Sequence, residues 1–184
     1  MSAEFKIAIF LVVTAGLALL TWRSLWRLTS HGLYRLFAWA AFLALVLLNL
    51  DYWFDKPFII RQMFSWLLLI VCIAAVTYGT VSLRRGRPDK RRSDASLIGI
   101  EKTTELVTAG AYRYVRHPMY SSFLFGALGV FLKQVSLLSA LLTGLTFFFT
   151  VLTAKMEEAE NIRYFGNTYR NYMKQTKMLI PFLF

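Results

Sequence analysis

Apolar residues in this chain are gathered into long runs separated by short, mostly basic connections. That pattern predicts helices that cross a bilayer, because about 20 apolar residues are needed to span the hydrocarbon core. Five crossings are expected, at about 5–22, 33–53, 61–83, 119–132 and 136–154. The fourth is short: roughly 14 residues at about 1.5 Å each cover about 21 Å, against a core of about 30 Å. It is expected to form a tight hairpin with the fifth, turned at Lys133-Gln134-Val135. The run at 7–20 lacks a basic flank and a small-residue cleavage pattern, so it reads as the first span and not as a signal peptide.

The charges between the runs add an orientation. Arg23, Arg27 and Arg35 flank the first connection. Arg84, Arg85, Arg87, Lys90, Arg91, Arg92, Lys102, Arg113 and Arg116 lie in the third, and Lys155, Arg163, Arg170, Lys174 and Lys177 in the tail. The second connection is balanced by Asp51, Asp55, Lys56 and Arg61, and the fourth carries only Lys133. The positive-inside rule then puts the N-terminus outside and the C-terminus in the cytoplasm, in the inner membrane if the source is bacterial.

Composition agrees. In 184 residues, 57% are hydrophobic, and mean hydropathy is +0.51. The net charge of +11 would suggest nucleic acid in a soluble protein. Here the cations alternate with apolar runs, so anionic headgroups are the expected partners, and nucleic acid is not. Cys72 is the only cysteine and His31 and His117 the only histidines, which excludes a multi-thiolate zinc site and predicts no metal. No helix shows a polar stripe suited to a pore. The fold expected is all-α and polytopic, with about five transmembrane helices and a cytoplasmic C-terminal amphipathic helix. It would form one domain over 1–184: three spans in 1–83, then a loop, hairpin and final helix in 84–184.

Candidate chemistry lies in the last eighty residues. Glu158, Ile162, Phe165, Tyr169 and Tyr172 recur at helical spacing, so Glu158 should head an inward face, with Glu160, Arg163, Asn167, Arg170 and Asn171 opposite. A carboxylate so placed needs a cation or a donor. Glu157 points about 100° away and could take a different partner. Proline at 118 suits the first position of a helix, and the amides there, with Arg116 nearby, would make an anion site. The tyrosines Tyr112, Tyr114, Tyr120, Tyr164, Tyr169 and Tyr172 suit a membrane interface, and some could wall an adenine or a cation. Gly126 and Gly129 suit close helix packing.

Two longer strings make the pattern specific. The first is Leu106-Val107-Thr108-Ala109-Gly110-Ala111-Tyr112-Arg113-Tyr114-Val115-Arg116-His117-Pro118-Met119-Tyr120. The second is Glu157-Glu158, then Phe165-Gly166-Asn167-Thr168-Tyr169-Arg170-Asn171-Tyr172, and a terminal Ile180-Pro181. Together they resemble the isoprenylcysteine carboxyl methyltransferase and phospholipid N-methyltransferase family over about 101–181. The resemblance implies a membrane enzyme that uses S-adenosyl-L-methionine at its cytoplasmic face. By position, His117, Tyr120, Glu158, Leu106, Val107, Gly110 and Tyr112 would contact the cofactor. Arg116 and Glu157 would support the pocket or face the acceptor, a lipophilic or lipid-linked molecule arriving from the bilayer, and Arg113, Arg116 and Lys155 are the cations available to hold an acceptor carboxylate. Carboxyl O-methylation of an isoprenylcysteine-like acceptor is the leading expectation, with phospholipid or amine N-methylation next. Many relatives have glycine two residues after the tyrosine, where this chain has Ser121-Ser122, and Lys155 is the nearest cation where relatives often carry arginine before the carboxylate pair. From other classes, a sterol-type membrane reductase and a non-catalytic anionic-lipid-binding scaffold remain as rivals.

Overall fold

The computed structural model describes residues 1–22, 30–85 and 105–181. Among them are six α-helices: α1 (Ala3–Leu20), α2 (His31–Asn49), α3 (Ile60–Arg85), α4 (Pro118–Phe131), α5 (Leu137–Phe165) and α6 (Asn167–Gln175). Short 3-10 turns at Leu50–Tyr52 and Gly110–Arg113 complete the set. α1, α2, α3 and α5 are long and apolar enough to cross a membrane, and α4 is a shorter apolar helix. The chain is therefore an all-α, polytopic membrane protein. Arg23, Arg27, Arg87, Lys90, Arg91, Arg92 and Lys102 lie outside the described residues.

The spans are apolar outward and small or polar inward, as expected where lipid tails supply no hydrophobic drive between helices. On α5, Leu138, Leu141, Leu145 and Phe148 are exposed, while Ser139, Thr143, Thr146, Thr150 and Thr153 are buried. This polar stripe on α5 is packed inside the bundle. Several of its hydroxyls bond back one turn, Thr143 to the Ser139 carbonyl at 2.8 Å and Thr153 to that of Phe149 at 2.6 Å. The glycines of α4 do the packing work expected of them. A Cβ on Gly129 would sit 2.9 Å from Leu69 Cγ, and one on Gly126 would sit 3.1 Å from Cys72 Sγ. The Ser65 hydroxyl donates to the Gly129 carbonyl at 2.7 Å, holding α3 against α4.

The ends of the bundle differ in character. At one end Asp51 binds the N-terminal amine and Lys6, the latter at 2.6 Å. The α4–α5 turn lies at that same end, and Lys133 is no loop charge there: it has no exposed surface. Its ammonium lies 3.4 Å from the centre of the Trp66 ring and donates to Gln62 Oε1 at 3.1 Å and the Trp53 carbonyl at 3.2 Å. Arg61 donates to the Leu132 and Lys133 carbonyls. A helix too short to reach the surface thus has its turn closed by two cations and an aromatic face. Burial pushes the Lys133 ammonium down to about 8, with the charge of Arg61 adding to the effect.

The opposite end holds both signature strings. The stripe from Glu158 to Tyr172 is not one helix: α5 ends at Gly166, whose φ of 60° and ψ of −131° suit only glycine, and α6 starts anew at Asn167. The apolar phase survives the break, and Tyr169 and Tyr172 remain buried.

Candidate functional site

The tail builds the floor of the site. Val115 and Lys177 form a parallel bridge, with Arg116 N–H donating to the Lys177 carbonyl at 2.8 Å and His117 N–H to that of Met178 at 3.1 Å. Ser121 ties α4 to the same tail through the Leu179 carbonyl. The departure from glycine falls at Ser122, whose hydroxyl donates back to the Met119 carbonyl at 2.6 Å. The bridge also takes the amides of Arg116 and His117, just ahead of the first turn of α4. Arg116 is committed as well. Its Nε lies 2.5 Å from Glu158 Oε1, and its Nη1 donates to the Thr176 carbonyl at 2.5 Å and the Met173 carbonyl at 3.3 Å. A guanidinium at those last carbonyls also complements the dipole of α6.

Four residues expected from the sequence meet here. The Tyr120 hydroxyl donates to Glu157 Oε2 at 2.7 Å. The His117 ring stacks on Tyr120, with centroids 5.4 Å apart. His117 sits between the two carboxylates, Nδ1 3.8 Å from Glu157 and Nε2 3.4 Å from Glu158. That Nε2 is buried without an aligned hydrogen-bond partner, although the neighbouring carboxylate is near. Glu157 and Glu158 differ in their hydrogen-bonded partners, Tyr120 and Arg116, and share His117 between them.

Tyr172 donates to the Tyr112 carbonyl at 2.6 Å, and Tyr169 packs edge-on against Tyr172. Burial pushes both phenols well above the usual tyrosine range, and the Glu157 and Glu158 charges add to this at Tyr169. Val107 and Tyr112 form a small core with Leu83 and Met119. Leu106 is half-buried beside it. Gly110 adopts φ +62°, and a Cβ there would run into Ser82, so the turn needs glycine to approach α3. Arg113 and Lys155 are exposed. An apolar cavity of about 380 Å³ lies between Ala75 and Tyr78 of α3, Pro118 and Phe125 of α4, and the tail at Leu179. It faces the side of α4 turned away from Tyr120, so it does not belong to the carboxylate cluster.

No pattern in the chain announced a second cluster at this end. His31 is completely buried: Glu160 accepts from its backbone N–H at 3.2 Å and lies 2.8 Å from its Nδ1. Arg35, counted above among the topological charges, is 3% exposed, with its Nη1 3.4 Å from His31 Nε2. Glu160 therefore faces α2 and is not part of a solvent face. The available signal was its spacing of three from Glu157, which puts both carboxylates on one side of α5.

Residues 92–168 match the phospholipid methyltransferase family, PEMT. The chain is 40% identical over 81 residues to the protein-S-isoprenylcysteine O-methyltransferase of Schizosaccharomyces pombe, covering 42% of this chain and 34% of that protein. It is 30% identical over 121 residues to a probable protein-S-isoprenylcysteine O-methyltransferase of Oryza sativa subsp. indica, covering 64% of this chain and 63% of that one. It is 36% identical over 72 residues to the methanethiol S-methyltransferase of Pseudomonas deceptionensis, covering 39% and 27%. The chain thus spans between about a quarter and under two thirds of the length of these relatives.

Proposed function

From the premise that this chain belongs, through residues 92–168, to the phospholipid methyltransferase family of integral membrane proteins, we propose that it is an S-adenosyl-L-methionine-dependent methyltransferase acting on a lipophilic acceptor. The observation that carries the reading is the convergence of Glu157, Glu158, His117, Tyr120 and Arg116 at one end of the bundle, each carboxylate held by a different partner. Those residues fit the cofactor. Two carboxylates and a stacked aromatic pair suit a cation. When bound, the cofactor supplies an electrophilic methyl group.

The chain's own residues do the rest. His117, Tyr120 and Glu158 hold the cofactor, while Leu106, Val107, Gly110 and Tyr112 shape the wall behind it. Arg116 keeps Glu158 ionised and in place and fastens α6 over the site. Glu157 faces the acceptor, and would accept a proton if that acceptor were an amine or a thiol. A carboxylate acceptor needs no base, so alignment and exclusion of water supply most of the rate. Carboxyl O-methylation is favoured because two of the relatives above carry that activity in their names. The likeness to a methanethiol S-methyltransferase supports sulfur as the second choice of acceptor atom, and amine N-methylation follows from the family name. Exposed Arg113 and Lys155 are assigned to headgroups at the membrane surface. The site end is placed in the cytoplasm by the positive-inside argument, with the N-terminus outside.

The test is calorimetric binding of S-adenosylhomocysteine to the detergent-purified chain and to a His117→Ala, Glu158→Gln double variant. Saturable binding that the variant loses while still folded supports the reading. No binding by folded wild type, in detergent and in lipid nanodiscs, overturns it. Binding of a reduced nicotinamide nucleotide would then favour a reductase, and of anionic lipid alone a scaffold.

A further inference from the structure

The apolar cavity beside α4 takes no part in the chemistry proposed above, yet the same loop and tail build it. Tyr78 of α3, Tyr114 and Val115 of the loop, Pro118 and Phe125 of α4 and Leu179 of the tail line it, and no acidic residue does. The helix register gives its depth. Gly79 lies against Pro118 and Gly126 against Cys72, so α3 and α4 run antiparallel. Phe125 is two turns past Pro118, about 10 Å further from the site end and into the bilayer. That position decides what suits the cavity. A water needs about two to four polar partners to settle in such a space, and the Ser121 hydroxyl is already committed to the Leu179 and His117 carbonyls. Hydrocarbon, by contrast, gains dispersion contacts along the whole lining of about 380 Å³. In a bilayer the hydrocarbon at hand is an acyl chain.

The surroundings of the cavity add a sign of charge. Ala75, Tyr78, Ser82 and Arg85 recur at spacings of three, four and three, one face of α3. Two contacts show where that face points. Ser82 Oγ accepts from the Ala111 N–H at 3.3 Å, and the Tyr78 hydroxyl lies 3.8 Å from where a Cβ on Gly110 would stand. Arg85 is one turn beyond, on the headgroup side of the cavity. Arg113 adjoins the lining residue Tyr114, and Lys177 donates its backbone N–H to the Tyr114 carbonyl and bridges to Val115. All three cations are exposed, and none enters an ion pair among the described residues. Tyr78 and Tyr114 are half exposed at the same level, as tyrosines at a membrane interface are.

We propose that this cavity holds one acyl chain of an anionic phospholipid, with the lipid's phosphate among Arg85, Arg113 and Lys177. The occupant is a resident lipid and not the methyl acceptor, because α4 turns Tyr120, and Glu157 bonded to it, the other way. The proposal does not depend on the methyltransferase reading: an apolar cavity at membrane depth, edged by uncommitted cations, selects an anionic lipid whatever the cluster across α4 does.

The experiment uses the full chain in a neutral detergent, with phosphatidylglycerol or phosphatidylcholine added, and native mass spectrometry reads the lipid retained. Wild type should keep one phosphatidylglycerol roughly 10-fold better than phosphatidylcholine, since each Lys or Arg near a headgroup is worth about fivefold. Arg85→Gln with Lys177→Gln, two exposed changes, should erase that preference. Ala75→Leu, which grows a side chain into the cavity, should lower retention of both lipids. Should Ala75→Leu fail to fold, a phosphatidylglycerol with a diazirine in one acyl chain tests wild type instead, and its label should fall on Tyr78, Tyr114 or Phe125. Equal retention of the two lipids by wild type overturns the proposal, as does a preference that the double variant keeps. Retention unchanged in folded Ala75→Leu, or label confined to the exposed faces of α1 and α5, places the lipid elsewhere and also overturns it. Displacement of the lipid by S-farnesylcysteine would make the cavity the tail pocket of the acceptor, and the proposal would fall while the methyltransferase reading gained.

Discussion

Glu158→Gln should destabilise the protein before any ligand is added, and Glu157→Gln should not. Both side chains of the Arg116–Glu158 pair are only 10% exposed. A charge-assisted hydrogen bond contributes about 1.5–3 kcal/mol, and breaking a fully buried pair costs about 3–5 kcal/mol because the partner is left uncompensated. Arg116 keeps the Thr176 and Met173 carbonyls when Glu158 is neutralised, which puts the loss at the lower end, about 2 kcal/mol. For a chain of this size that is a fall in Tm of about 4–8 °C. The side-chain amide introduced by Glu157→Gln would still accept from the Tyr120 hydroxyl, so that change should cost under about 1 kcal/mol. The assay is thermal unfolding in one detergent, ligand-free, of wild type, Glu158→Gln, Arg116→Gln and the double variant. Coupling of at least about 1 kcal/mol is expected. If the two single losses add to within about 0.5 kcal/mol, the ion pair is not holding α5 to the loop and the reasoning fails. Equal losses from the two glutamates would sink the division of roles between them.

Two further outcomes follow from burial. Lys133→Ala removes the Trp66 contact and leaves Gln62 Oε1 and the Trp53 carbonyl without their donor, so it should cost about 2–3 kcal/mol. S-adenosylhomocysteine affinity, read at the other end of the bundle, should not change; a parallel loss would show that the hairpin turn and the site are coupled. The raised Tyr169 and Tyr172 phenols bind protons more tightly folded than unfolded. Their contribution is fully present below about pH 10 and is lost as the pH climbs from there towards the folded values. Stability measured against pH should therefore fall above about pH 10, less steeply in Tyr172→Phe, and identical slopes would refute the assignment.

The spans were legible because bilayer length and apolar content are local properties, and so was the hairpin, because a 14-residue helix cannot reach both surfaces. The meeting of His117, Tyr120, Glu157 and Glu158 was expected from the resemblance and from helical phase. What escaped was burial decided by distant partners. Lys133 and Arg35 look like any other connecting charge until Trp66 and Trp39 are seen beside them. His31 offered no periodic signal, since its partner Glu160 is 129 residues away. The break at Gly166 was written in the sequence as a glycine followed by asparagine, a helix-stop signal. The continuing apolar phase masked it, because one glycine at positive φ turns the chain without rotating the stripe out of register.

The charge arrangement at the end of α5 supports one more test of the proposed cofactor. Glu157, Glu158 and Glu160 lie within four consecutive residues, where three like charges would repel unless separately partnered. Glu158 has Arg116, and Glu160 has His31 with Arg35 behind it. Glu157 has a phenol at 2.7 Å and an imidazole at 3.8 Å, but no guanidinium or ammonium among the ion pairs of the described residues. It is therefore the carboxylate with most to gain from a cationic ligand. The methyl donor is a sulfonium, whereas its product has a neutral sulfur and the same remaining groups. Wild type should bind S-adenosyl-L-methionine more tightly than S-adenosylhomocysteine, and Glu157→Gln should reduce that ratio by about tenfold, or about 1.4 kcal/mol. In the proposed site Arg116 and Glu158 would act on both ligands through the groups they share, so Arg116→Gln should weaken both and leave the ratio alone. Competition binding gives the ratio without turnover. A ratio that Glu157→Gln leaves intact would mean that Glu157 does not face the reacting centre.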